Sequence, residues 1–147
     1  MKVKACAIFL ISVLFFIFPV SLFAQQSDLY GSWELNSNDY EDLSEYGYSS
    51  IWKITFSASA VSLKIEEYSY NELVNIDERE FQIIKWQAID NSEGTIRAAF
   101  PNGFYLTYIT SFGYEEGLEV FISANKQQII VPEMNEGYDK LVVFIKQ

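Results

Sequence analysis

IWKITFSASAVSLKIEEY, residues Ile51 to Tyr68, alternates apolar and polar side chains in two successive runs. Trp52, Ile54 and Phe56 share one face against Lys53 and Thr55, and Val61, Leu63 and Ile65 share one face against Ser62, Lys64 and Glu66. Successive side chains of an extended chain point to opposite sides, so a period of two marks a strand with one buried face. Only a short Ser-Ala-Ser piece separates the runs, which predicts a hairpin with both apolar faces on the same side.

On either side, the segments GSWEL, REFQIIKWQAI, GTIRAAF, FYLTYIT, GLEVFIS, QQIIV and KLVVFIK also read as strands, for about nine in all. Turn-rich pieces separate them: DNSEG, PNG, SFGYEE, SANK and PEMNEGYD. In PNG, Pro101 presets a corner and Asn102-Gly103 accepts positive φ, so a turn is expected there. In FQIIKWQ, Phe81 and Ile83 favour one face while Ile84 and Trp86 favour the other, so this strand is either bulged or buried on both sides. No helical pattern of comparable strength competes. Short turns imply antiparallel neighbours, and a succession of hairpins with nothing to cover its edges closes most economically. The expectation is an all-β fold, an up-and-down antiparallel barrel of about eight strands, with a two-sheet sandwich as the competing arrangement. NDYEDLSEYG supports either a short helix between the first two strands, capped by Asn38 and ended by Gly47, or a solvated acidic loop.

The chain opens with Lys2 and Lys4, an apolar run from Ala5 to Phe18, Pro19, and a small-residue exit at Ala24. This is the pattern of a secretory signal peptide, residues 1–24, followed by one domain over residues 25–147. An uncleaved membrane anchor is the alternative for the same segment. The expected location is periplasmic or secreted, with no stable membrane insertion once the leader is removed. Cys6, the only cysteine, lies inside the leader, so no disulfide is expected in the domain.

At the start of the domain, LYGSWEL followed by antiparallel strands resembles the lipocalin-like, or calycin, barrels, whose first strand commonly begins with a glycine-x-tryptophan motif. The resemblance implies that Gly31 marks the turn into the barrel and that Trp33 plugs its closed end. The last strand offers Lys140 or Lys146 where such barrels commonly place an arginine across the tryptophan.

Chemistry is mostly excluded by composition. There is no histidine anywhere and no cysteine after the leader, which removes Ser-His and Cys-His nucleophiles and the preferred ligands of zinc and copper. The carboxylate pairs Glu66-Glu67, Asp77-Glu78 and Glu115-Glu116, and Asp39 with Glu41-Asp42, read as solvated charge. The acidic stretch lacks the ligand spacing and mid-loop glycine of an EF-hand. No enzyme activity, metal or cofactor is expected. Without Lys2 and Lys4, eight basic residues face 20 acidic ones, a formal charge of −12, which disfavours nucleic acid and anionic lipid.

Two functions fit these residues. One is an extracytoplasmic binding protein that holds a small apolar or amphipathic ligand against a wall of Trp52, Ile54, Phe56, Leu63, Ile65, Leu106, Tyr108, Val120 and Ile122; the same residues would otherwise simply fill the barrel. The other is an acidic protein-binding module or inhibitor that docks a basic partner through loop tyrosines, namely Tyr40, Tyr46, Tyr48, Tyr70, Tyr114 and Tyr138.

Overall fold

The computed structural model describes residues 26–36, 47–90, 99–135 and 141–147. The leader and the acidic stretch of residues 37–46, with its expected helix, lie outside the described residues. Eight strands follow one another: β1 (Gly31–Asn36), β2 (Tyr48–Phe56), β3 (Ala60–Ser69), β4 (Glu72–Asp90), β5 (Asn102–Ile109), β6 (Glu115–Ile122), β7 (Gln128–Ile130) and β8 (Phe144–Lys146). Each pairs antiparallel with the next and β8 pairs with β1, so the sheet is a closed up-and-down barrel rather than a sandwich. One helical turn, residues 26–29, precedes β1.

The alternation read in residues 51–68 sets the register. Phe56 lies opposite Gly31 and Val61, Ile54 opposite Trp33 and Leu63, and Trp52 opposite Leu35 and Ile65. All these side chains fall on one parity, and that parity is the barrel interior. In the hairpin turn the Ser57 N–H donates to the Ala60 carbonyl at 2.9 Å, and the Ala60 N–H donates to Ser57 Oγ at 2.9 Å.

β4 starts far earlier than the alternation implied. Its first half, ELVNIDERE, carries apolar side chains that stay exposed, so no buried face is written into it. The turn that leads into it, Tyr70-Asn71, has φ of 49° and 68°, and Ser69 pairs with Glu72 across a two-residue loop. The two faces of FQIIKWQ are reconciled by a bulge: the register shifts between Ile83 and Lys85, and Ile84 is the extra, exposed residue. Phe81, Ile83 and Trp86 can thus all pack on the core. Trp86 Nε1–H donates to the Ala58 carbonyl at 3.0 Å, which ties β4 to the β2–β3 turn.

One expectation is corrected, and another lies mostly outside the described residues. PNG is not a turn between strands: Asn102 and Gly103 belong to β5, opposite Asp90 and Ile89. Gly103 is needed for closeness, because a Cβ there would strike Phe121 and Ile89. GTIRAAF is no strand in its described part, since Ala99 and Phe100 lie outside β5, and its earlier residues lie outside the described set. Phe100, Phe121 and Ile130, with Ile89 and Val143, form a second apolar cluster separate from the main core. Val120, Phe121 and Ile122 are consequently all buried, Val120 and Ile122 against the interior and Phe121 against this outer cluster.

Candidate functional site: the open end of the barrel

One end of the barrel is sealed from the inside. Trp33 is 0% exposed; its Nε1–H donates to the Leu29 carbonyl at 2.8 Å, satisfying the one polar atom the indole buries. The helical turn that carries Leu29 closes the floor below it. Lys146 reaches across from β8 with its Nζ 5.0 Å from the indole centroid and donates to the Asp28 carbonyl at 2.9 Å. The cation thus rests on the ring face while pinning the incoming chain, an arrangement in which attraction to the π-cloud adds to packing. Of the two lysines near the end of the sequence, Lys146 takes this position; Lys140 lies outside the described residues.

From that floor burial falls steadily along each wall. On β2, Phe56 and Ile54 are buried and Trp52 is half-buried; on β3, Val61 is buried, with Leu63 and Ile65 half-buried. On β5, Phe104 and Leu106 are buried and Tyr108 is half-buried; on β6, Ile122 and Val120 are buried, Leu118 is half-buried and Glu116 is exposed. The same gradient on four strands means that the barrel is packed at the Trp33 end and loosens toward the other. Of the nine wall residues read from the alternation, Ile54, Phe56, Leu106, Val120 and Ile122 are at most 2% exposed and offer no free surface. Trp52, Leu63, Ile65 and Tyr108 lie at the open end.

The open end has members that the alternation did not single out. The Phe81 ring packs against that of Tyr108, tilted by 47° with centroids 5.2 Å apart, and Leu118 packs on the core nearby. The cross-strand register places Asp77 opposite Ile65 and Arg79 opposite Leu63, on the interior parity just beyond the apolar wall. Arg79 grips Asp77 with two hydrogen bonds, at 2.7 and 3.2 Å. Trp52 Nε1–H donates to Ser50 Oγ at 3.0 Å, and the Tyr108 hydroxyl donates to Glu116 at 3.0 Å. An apolar wall with a polar rim is thus assembled from strands far apart in sequence. Phe81 could have been found from its parity with Ile83, had the bulge been located.

Burial, then the Glu116 carboxylate, push the Tyr108 phenol up to about 12. Since the folded value exceeds the ordinary 10, this group's stabilising contribution is complete below pH 10 and is lost as pH rises through about 12. Tyr68 is also raised, by its hydrogen bond to Glu66, so phenolate absorbance should show a late component to which both contribute, and Tyr108→Phe should diminish it. An undiminished late component in the variant would assign the Tyr108 shift elsewhere.

The described carboxylate pairs do not converge. Glu66 and Glu67 point to opposite faces of β3, as do Asp77 and Glu78 on β4. Glu66 is held below the usual carboxylate range by hydrogen bonds from Lys64 and Tyr68, and Glu67 accepts from Asn75 at 2.8 Å. On the barrel exterior Glu34, Ile51, Lys53, Lys64 and Glu66 line a notch of about 70 Å³, room for a few waters within an ion-pair lattice. Among the described residues no three carboxylates are grouped as a metal site would require. Tyr48, Tyr70 and Tyr114 are exposed; Tyr40, Tyr46 and Tyr138 lie outside the described residues.

Comparison with family models, with curated proteins and with solved structures finds no match to this chain.

Proposed function

We propose that the chain is an exported, lipocalin-like binding protein that takes a small apolar or amphipathic ligand at the open end of its barrel. The observation that carries this reading is the burial gradient, which leaves free apolar surface on Trp52, Leu63, Ile65 and Tyr108 above a packed floor. An apolar body would lie on those four residues and Phe81, while a polar head would meet Arg79, Asp77 and Glu116 at the rim. Apolar contact supplies roughly 25 cal/mol per Å² removed from water, and the rim groups orient the ligand. The function is binding without chemistry. Export rests on Lys2, Lys4 and the apolar run before Ala24; the mass of protein recovered outside the cytoplasm should correspond to loss of the leader, and an intact Met1 would contradict it.

Titration of the folded protein with a neutral naphthylamine fluorophore tests the site. One saturable binding event with energy transfer from tryptophan is expected, and Trp52→Phe should remove most of the transfer while the probe still binds. Ile65→Asp places an unpaired charge on the wall and should weaken binding by tenfold or more, about 1.4 kcal/mol or above. Because Ile65 is only half-buried, the far-ultraviolet circular dichroism should be kept. Unsaturable uptake, or equal affinity in the Ile65→Asp variant, would sink the proposal.

A further inference from the structure

β4 is flanked on both sides over only part of its length. Its pairing with β5 runs from Gln82 to Asp90, whereas from Glu72 to Phe81 its only described strand partner is β3. Here β4 is the edge of a sheet that β3 and β2 continue, since β3 pairs with β2 from Val61 to Ser69, and among the described residues no strand pairs with the outer edge of β4. Such edges are normally blunted by proline, charge, bulges or shortness, and this one has a bulge near its start, where Val74 is the extra residue opposite Glu67 and Tyr68. Residues 72–81 contain neither proline nor lysine, and they expose Leu73, Val74 and Ile76 by 49%, 59% and 49%. The pairing of Gln82 with Ile109 sets the β5–β6 turn beside the lower end of this edge, where Phe112 is 85% and Tyr114 70% exposed.

Charge decides what fits there. Arg79 is engaged by Asp77 at 2.7 Å and Lys64 by Glu66 at 2.6 Å with Glu78 opposite it, whereas Glu72, Glu80 and Glu115 have no described ion-pair partner. A second copy joined edge to edge would set carboxylates against carboxylates in a chain of net charge −10. An extended segment that alternates cationic and apolar residues has the complementary sign and can use the free backbone groups. We propose that the edge of β4 from Glu72 to Phe81 docks an extended basic segment of a partner protein, which adds to the sheet as a further strand. This site uses the outer backbone edge of β4, whereas the inward side chains of Asp77, Arg79 and Phe81 on the same stretch belong to the barrel mouth.

The test uses a short synthetic peptide alternating lysine with valine, and amide hydrogen exchange read residue by residue. Protection should appear at Glu72–Phe81, and affinity should fall about tenfold or more in the double variant Glu72→Lys, Glu80→Lys, whose altered residues are both exposed. Two further peptides, N-methylated on odd or on even residues, should differ, since only one blocks the hydrogen bonds to the edge. The double variant should still take the naphthylamine probe with unchanged affinity. The proposal is overturned if the lysine peptide does not bind or protects other strands, if both methylated peptides bind like the parent, or if a glutamate-valine peptide binds equally. A dimer of the protein that protects the same amides without peptide would also overturn it.

Discussion

Trp33→Ala should lower the stability of the folded protein by about 3–5 kcal/mol, the range for deleting a large buried aromatic side chain. Three contributions are lost together. The indole is fully buried among Leu29, Ile54 and their neighbours, so its removal leaves a cavity that a closed sheet cannot easily collapse. Its N–H no longer satisfies the Leu29 carbonyl, which unties the helical turn from the floor. Lys146 loses the ring on which its cation rests. Trp33→Phe should recover part of the loss, by refilling some volume without restoring the hydrogen bond, and so fall between parent and alanine variant. Denaturant melts measure this directly; coincident midpoints for parent and Trp33→Ala would mean that the floor of the barrel is not built on the indole.

Phe144→Ala should cost a comparable 3–5 kcal/mol, for a reason specific to how the barrel closes. β7 and β8 have three residues each, and the seam between β8 and β1 is registered through only Trp33–Lys146 and Glu34–Ile145. So few ladder bonds leave closure to side-chain burial, and Phe144 is the fully buried side chain of β8. Its neighbour Ile145 supplies the control, since it is 52% exposed on the opposite face. Ile145→Ala should change stability by about 0.5 kcal/mol or less. Equal effects of the two substitutions would show that β8 does not seal the sheet by its inward face.

Legibility in the sequence followed the sharpness of the burial contrast. Ile51–Tyr68 has one wet and one dry face, and the hairpin, its register and its inward parity could be read directly. The conflict at Phe81–Trp86 could be detected but not resolved, because which residue becomes the bulge depends on the partner strand. The start of β4 was hidden: Leu73, Val74 and Ile76 are apolar yet exposed, so this half of the strand has no dry face to announce it. Phe121 and Ile130 were obscured for the opposite reason, since an outer cluster buries the face that alternation assigns to solvent. Gly103 reads as a turn residue on local grounds, and only the ring of Phe121 above it explains a glycine inside a strand. For the site, parity indicated which side chains point inward but not how deep each lies. Depth comes from the stagger between strands, and it separates Phe56 and Leu106, packed at the floor, from Ile65 and Tyr108 at the mouth.

Ligand capture at that mouth is tested most directly by following the three indole N–H signals and the leucine and isoleucine methyl signals during titration with the naphthylamine probe. Saturable shifts should concentrate at Trp52, Leu63 and Ile65 and leave Trp33 unmoved beneath the packed floor. Shifts centred on Trp33, or none that saturate while the protein stays folded, would contradict the account.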